Sequence, residues 1–220
     1  MKKNKIDNYK TSVKTIDDLR EVLCQPKIKN KKKIVYKVWR NQKNKNGLRY
    51  DITVLSPVSL GREFSKTHGH YHQKQESELY EILKGKAIFL FQKPEKTPLK
   101  IKECYAVLAE ENNCVVVPSG FGMTMINPTN KKLKVGNWVG NKVKNNYIFY
   151  RRAKGASYYC LKDKNKIKFV PNRHYQKIAP LQIVKPKPFP FLRLKNLNFL
   201  KQTAKYKKLL TPACLFEKIG

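Results

Sequence analysis

The sequence predicts an all-β protein, a sandwich or small barrel of short strands, and three observations carry that prediction. Short β-branched and aromatic segments recur between Ile34 and Gly140. Clear turn signals separate them: LSPVSLG, LKGK, KPEKTP, EENN and NPTNKK. Finally, LYEIL-KGK-AIFLF reads as a hairpin with Gly85 in a tight loop. Many short strands punctuated in this way fill a sandwich or a closed barrel rather than a helical bundle.

Taken in order, the chain first offers a helix. Thr15-Ile-Asp-Asp-Leu-Arg-Glu-Val-Leu23 places apolar side chains at 16, 19, 22 and 23 behind a Thr–x–x–Asp start, the pattern of a short capped amphipathic helix. IVYKVW (34–39) follows as a strand, and NKNG (44–47) turns it back into LRYDITVL (48–55). HGHYH (68–72), ELYEIL (78–83), AIFLFQ (87–92), KIKECYAVL (100–108), CVVVP (114–118), MTMIN (123–127) and LKVGNWVG (133–140) continue the series. Beyond about residue 160 the pattern weakens into a proline-rich stretch, KPKPFPF (185–191), and then lysine and leucine. The chain thus divides into a helical, basic N-terminal segment (1–33), a β domain (34–160) and a basic Pro/Lys-rich C-terminal arm (161–220) that wraps the core.

Composition bounds the function. The net charge is +33, but 40 of the 48 basic residues are lysine, whereas base-edge reading favours the arginine fork. The lysines are spread along the chain, and asparagine and isoleucine are abundant with them, as A/T-rich codons produce without selection on charge. The balance therefore argues against a dedicated nucleic-acid partner, while a cationic surface would steer a small dianion inward. Cys24, Cys104, Cys114, Cys160 and Cys214 are odd in number, widely spaced and contain no CxxC pair, which argues against a disulfide framework or zinc ribbon and suits a reducing cytosol. MKKNKIDNYK has no apolar leader core, and no window reaches the ~18 apolar residues of a membrane span. A cytoplasmic protein with no membrane partner is expected.

The stretch KTHGHYHQKQESELYEI, Lys66 to Ile82, holds three of the four histidines. On a strand, side chains two apart share a face and stand ~6.6 Å apart, so His70 and His72 can converge on one ion with bonds of ~2.1 Å. His68, ~13 Å from His72 on a regular strand, is too far to share it and is expected to be a bystander or to touch substrate. The loop QKQES returns the chain so that ELYEIL pairs nearby, bringing Glu76 or Glu78 within reach; Glu78 is favoured because it starts the strand. Two imidazoles and a carboxylate form a divalent-metal site with open positions.

The wider text, GLRYDITVLSPVSLGREFSKTHGHYH…ELYEILKGKAIFLFQ…VVVPSGFGMTMINPTNKKLKVGNW, resembles the cupin-type glucose-6-phosphate isomerases of archaea and some bacteria over roughly residues 34 to 160, including KGASYY (154–159). The resemblance implies a cupin, a jelly-roll or double-stranded β-helix barrel, assembled as a homodimer with one divalent ion per subunit (Fe, Mn, Ni or Zn) and a sugar-phosphate substrate. It implies His70, His72 and Glu78 as metal ligands, Glu78 and Tyr80 as catalytic residues, and Thr53, Thr67 and the Gly69 backbone at the substrate phosphate. Tyr147 matches a further substrate contact. Hydroxyls and backbone N–H groups can hold a phosphate dianion without a helix.

One departure stands out. Where the family's second motif carries a fourth ligand histidine, Pro118-Ser-Gly-Phe-Gly-Met123-Thr-Met-Ile-Asn127 has Met123, and a substrate-side histidine is replaced near Asn145. A thioether is a soft, weak donor for such ions. The resemblance therefore implies a metal-dependent aldose–ketose isomerase of glycolysis and gluconeogenesis, interconverting glucose 6-phosphate and fructose 6-phosphate. The alternative is a non-catalytic sugar-phosphate-binding cupin whose metal site Met123 has weakened. Another cupin activity, such as an iron dioxygenase, would need no phosphate clamp.

Overall fold

The computed structural model describes residues 10–164, 166–188 and 197–219; most of the N-terminal MKKNKIDNYK and the end of KPKPFPF lie outside them. Two sheets face one another. The first takes its strands in the order Thr11–Thr15, Ile34–Lys45, Leu48–Leu55, Leu133–Gly140, Glu78–Lys84, Cys114–Val117. The second runs Phe216–Lys218, Leu181–Pro186, Lys100–Glu110, Lys86–Pro94, Gly122–Asn127, Ser65–Lys66. From Leu48–Leu55 to Leu133–Gly140 the chain crosses repeatedly from one layer to the other, which is the winding of a jelly roll.

Local chemistry explains the corners. Asn46 and Gly47 both take positive φ (51° and 78°), the twist a two-residue hairpin needs, and Lys45 pairs with Leu48 across them. Gly85 does something other than the hairpin expected of it. Glu78–Lys84 and Lys86–Pro94 do not pair with each other; they belong to opposite sheets. Gly85, at φ +94°, turns the chain through a one-residue corner from one layer into the other. Sequence alternation cannot distinguish such a corner from a hairpin, because both demand a glycine between two strands.

The N-terminal helix forms as its cap dictates. Thr15 and Asp18 exchange side-chain and backbone hydrogen bonds in a capping box, and Ile16–Leu19 continues into a 3₁₀ turn, Arg20–Val22. That turn is tied to the barrel by a buried pair. Lys66 Nζ meets the Glu63 carboxylate and donates to the Val22 carbonyl at 2.7 Å, while Glu63 Oε2 accepts from the Cys24 amide at 2.6 Å. A buried charge pair survives only when its remaining valences are satisfied in this way. At the other end, Leu181–Pro186 runs parallel to Lys100–Glu110 and extends the second sheet.

The core between the layers is aromatic and aliphatic: Phe89, Phe91, Leu79, Leu55 and Ile82 are fully buried. One end of this interior is polar instead. From Asp51 onward the strand Leu48–Leu55 points Asp51, Thr53 and Leu55 inward, and Ile52 and Val54 outward, so for Asp51 and Thr53 the usual apolar-in pattern is inverted. That inversion lines an interior cavity, the candidate functional site.

Candidate functional site

The segment expected as the strand 68–72 is mostly not one. Gly69 takes φ +85°, and only Tyr71–His72 pairs regularly, with Asn145–Asn146. Gly69 is required by space as well as by φ, since an added Cβ would collide with Thr124 Oγ1 and the Tyr150 ring. The kink ends strict alternation. His70 then docks on the second sheet, exchanging backbone hydrogen bonds with Met123 (His70 N to Met123 O 3.0 Å, the reverse 2.9 Å).

Glu78 reaches the histidines from the opposite layer, across the barrel rather than by pairing beside them. Ligand atoms of His70, His72 and Glu78 all lie within 4.8 Å of one another. The two imidazole centroids are 5.5 Å apart. Glu76 contributes its backbone instead of its carboxylate: its carbonyl lies 3.0 Å from His72 Nδ1. A carbonyl can only accept, so Nδ1 carries a proton; in the neutral ring Nε2 then keeps its lone pair, 3.3 Å from Glu78 Oε2.

The electrostatics suit a cation. Burial pushes the His70 imidazole down to about 4, which keeps it neutral, as a ligand must be. For Glu78 burial works toward a raised pKa, but the two facing histidines, His72 above all, outweigh it and hold the carboxyl below its usual range. His72 is shifted upward: burial opposes the charged form, and the Glu78 carboxylate more than compensates. Glu78 Oε2 is buried and meets no hydrogen-bond donor at good geometry among the described residues, with His72 Nε2 standing 3.3 Å away. An anionic oxygen left unsatisfied between two imidazoles fits a divalent ion.

Around the cluster a cavity is lined by Thr53, Thr67, Gly69, Tyr80 and Tyr147, so the structure gathers the sequence-derived residues at one place. Thr67 is already engaged structurally, for its Oγ1 accepts the Met125 amide at 3.0 Å. Its own proton is directed at the Met125 carbonyl across a long 3.5 Å contact, which a stronger acceptor such as a phosphate oxygen can replace. Tyr147 accepts from Asn145 Nδ2 at 3.2 Å and packs against both His68 and His70, at centroid distances of 5.2 and 5.8 Å. His68 is outside the ligand cluster and lines the cavity edge-on to Tyr147. Met123 lines it too, beside His70 and only 2% exposed.

Several lining residues escaped the sequence reading. Asp51 is buried and accepts from Arg49 Nε (3.0 Å), Arg40 Nη1 (3.2 Å) and the Asn41 amide (2.9 Å), which ties up both guanidinium groups beside the cavity. Asn137, on Leu133–Gly140, donates to Glu78 Oε1 at 2.6 Å. The signal for Asp51 was legible as a charge at an inward position of a strand; Asn137 carried none.

A jelly-roll barrel with a histidine–carboxylate cluster opening on an interior cavity defines a protein of the cupin class. The family model described as "Glucose-6-phosphate isomerase (GPI)" matches residues 13–177. The chain belongs to the glucose-6-phosphate isomerase family, a family of enzymes. It is 34% identical to a glucose-6-phosphate isomerase of Thermococcus litoralis over 134 residues, 57% of this chain and 67% of that one. With that of Pyrococcus abyssi it shares 37% over 98 residues, 41% of this chain and 52% of the relative, so the chain matches about half the length of that protein. Among solved structures, an oxalate oxidase in complex with the substrate analogue glycolate aligns with a TM-score of 0.39 and 13% identity, over 47% of this chain and 50% of that one.

Proposed function

We propose that this protein interconverts glucose 6-phosphate and fructose 6-phosphate with the help of one divalent ion, Fe, Mn, Ni or Zn, held by His70, His72 and Glu78. The observation that carries the reading is the convergence of these three side chains from opposite sheets, with a buried, unsatisfied carboxylate oxygen at their centre. Relatives named for that reaction support it.

A bound ion would supply Lewis acidity to the substrate oxygens at C1 and C2 and so acidify the neighbouring C–H. The chain's own residues do the rest. Thr53, Thr67 and the Gly69 backbone hold the phosphate; a hydroxyl can donate to it while its oxygen still accepts elsewhere. Glu78 takes the proton from C2 of the open-chain aldose and returns it to C1, while the hydroxyl proton moves from O2 to O1, leaving the ketose. Tyr80, two residues along the same strand face, lies beside it at the cavity wall. Tyr147 also lines the cavity, packed against His68 and His70.

The test is a coupled assay with fructose 6-phosphate on metal-stripped protein, before and after adding back Fe²⁺, Mn²⁺, Ni²⁺ or Zn²⁺. Activity should return with at least one ion in the wild type and with none in His72→Ala, which loses a ligand and little packing and so stays folded. Full turnover by the stripped protein, or stoichiometric metal retained by folded His72→Ala, would sink the reading.

A further inference from the structure

Glu78 is asked to meet a cation and to move a proton, yet a free carboxylate could satisfy both demands loosely, with either oxygen. The structure removes that freedom. Asn137 and Glu78 sit on adjacent antiparallel strands; Asn137 pairs with Tyr80, and Glu78 lies two residues away on the same inward face. The two side chains are therefore diagonal neighbours. Asn137 Nδ2 approaches Oε1 at 2.6 Å, with Asn137 only 5% and Glu78 only 4% exposed. A carboxylate oxygen facing an amide accepts, so the amide must present its NH₂ there. The other oxygen, Oε2, is the one left without a hydrogen bond and turned toward His72.

We infer that Asn137 is a positioning residue for Glu78. It occupies Oε1, fixes the plane of the carboxylate, and leaves Oε2 as the oxygen that meets the ion or, once substrate oxygens take its place on the ion, the substrate proton. Chelation through both oxygens is thereby disfavoured, because one lone pair of Oε1 is already engaged. A neutral donor is the right chemistry for this task. A lysine or arginine at 137 would orient the carboxylate equally well but would cancel its charge and repel a cation. The two arginines on neighbouring strands are instead bound to Asp51. This inference rests on the proposed role of Glu78 but concerns a residue that the histidine–carboxylate motif does not contain.

A thermodynamic cycle tests it. Mn²⁺ binding to metal-stripped protein is measured by calorimetry for wild type, Asn137→Leu, Glu78→Gln and the double variant, with thermal melts of the stripped forms as a check on folding. Residues that orient a ligand typically change metal affinity by ~10–100-fold. Asn137→Leu should weaken Mn²⁺ by that factor in the wild-type background and by less than about threefold once Glu78 is glutamine, because coupled residues are non-additive. Kinetically it should lower kcat and leave KM for fructose 6-phosphate nearly unchanged, the phosphate contacts being elsewhere. Equal losses in both backgrounds would show a merely structural role and overturn the inference. Should Asn137→Leu fail to fold, Asn137→Asp keeps shape and volume while offering Glu78 an acceptor, and the same cycle applies. Unaltered Mn²⁺ affinity in a folded variant refutes the assignment of Asn137 alone. A wild type that binds none of the four ions refutes the metal-site reading and this inference with it.

Discussion

Met123 is the residue where this chain parts from the pattern it otherwise follows. Its backbone is locked to that of His70, so the two side chains share one face as a directly opposed pair, and both line the cavity. A thioether there is a soft donor beside two imidazoles and a carboxylate. Met123→His would place a third imidazole at the same register. It should tighten Mn²⁺ or Zn²⁺ by at least the ~10–100-fold seen for changes that only orient ligands, as read by calorimetry at matched pH. Activity need not rise in step, since a filled coordination position admits one substrate oxygen fewer. Unchanged affinity would mean that residue 123 does not face the ion.

At the scale of elements, the kinked connection between Ser65–Lys66 and Tyr71–His72 matters more than either short strand. It hangs on Gly69, whose positive φ turns His70 onto the second sheet and lets Tyr150 pack flush beneath the backbone. Gly69→Ala brings two penalties: a left-handed conformation costs a residue with a Cβ about 1–2 kcal/mol, and overpacking costs roughly 1–3 kcal/mol more. Thermal unfolding should register a loss of about 2–5 kcal/mol, together with weakened metal binding, because His70 moves with the kink. A fully stable Gly69→Ala protein with intact metal affinity would show that the kink is dispensable.

At the scale of the molecule, the site straddles both sheets: His70 is anchored to the strand Gly122–Asn127, and Glu78 belongs to the other layer. Its titration is therefore a property of the whole fold. Burial holds His70 at about 4, against an ordinary value of 6.5, so the folded state binds that proton more weakly than the unfolded chain does. A group depressed on folding contributes stability above its unfolded pKa and loses it as pH falls toward the folded value. The metal-free protein should accordingly lose on the order of 3 kcal/mol between pH 6.5 and pH 4 from this group. The pairing of His72 with Glu78 works oppositely, favouring the fold while His72 is protonated and fading as pH rises past its raised pKa. Denaturant melts at several pH values check this. His70→Gln should flatten the acid slope, and an unchanged slope would place the sensitive group elsewhere, for example among the charges that give this chain its net +33.

The sequence by itself determined most of the strands between residues 34 and 140, the capped first helix and the trio of candidate ligands, His70, His72 and Glu78. These are short-range properties: period-two alternation, turn residues with fixed dihedral demands, and donor spacing along one segment. The motif containing His70, His72 and Glu78 was legible because three candidate ligands fall within nine residues. Only the tertiary structure decided how they meet. The LKGK corner looked like a hairpin and is a crossing between layers. HGHYH looked like a strand and is a kink, because tertiary packing of Tyr150 against Gly69 outweighs local β propensity. Asn137, on the strand Leu133–Gly140, reaches Glu78 from 59 residues away. No local pattern distinguishes that asparagine from any other, since what selects it is the carboxylate that folding places opposite.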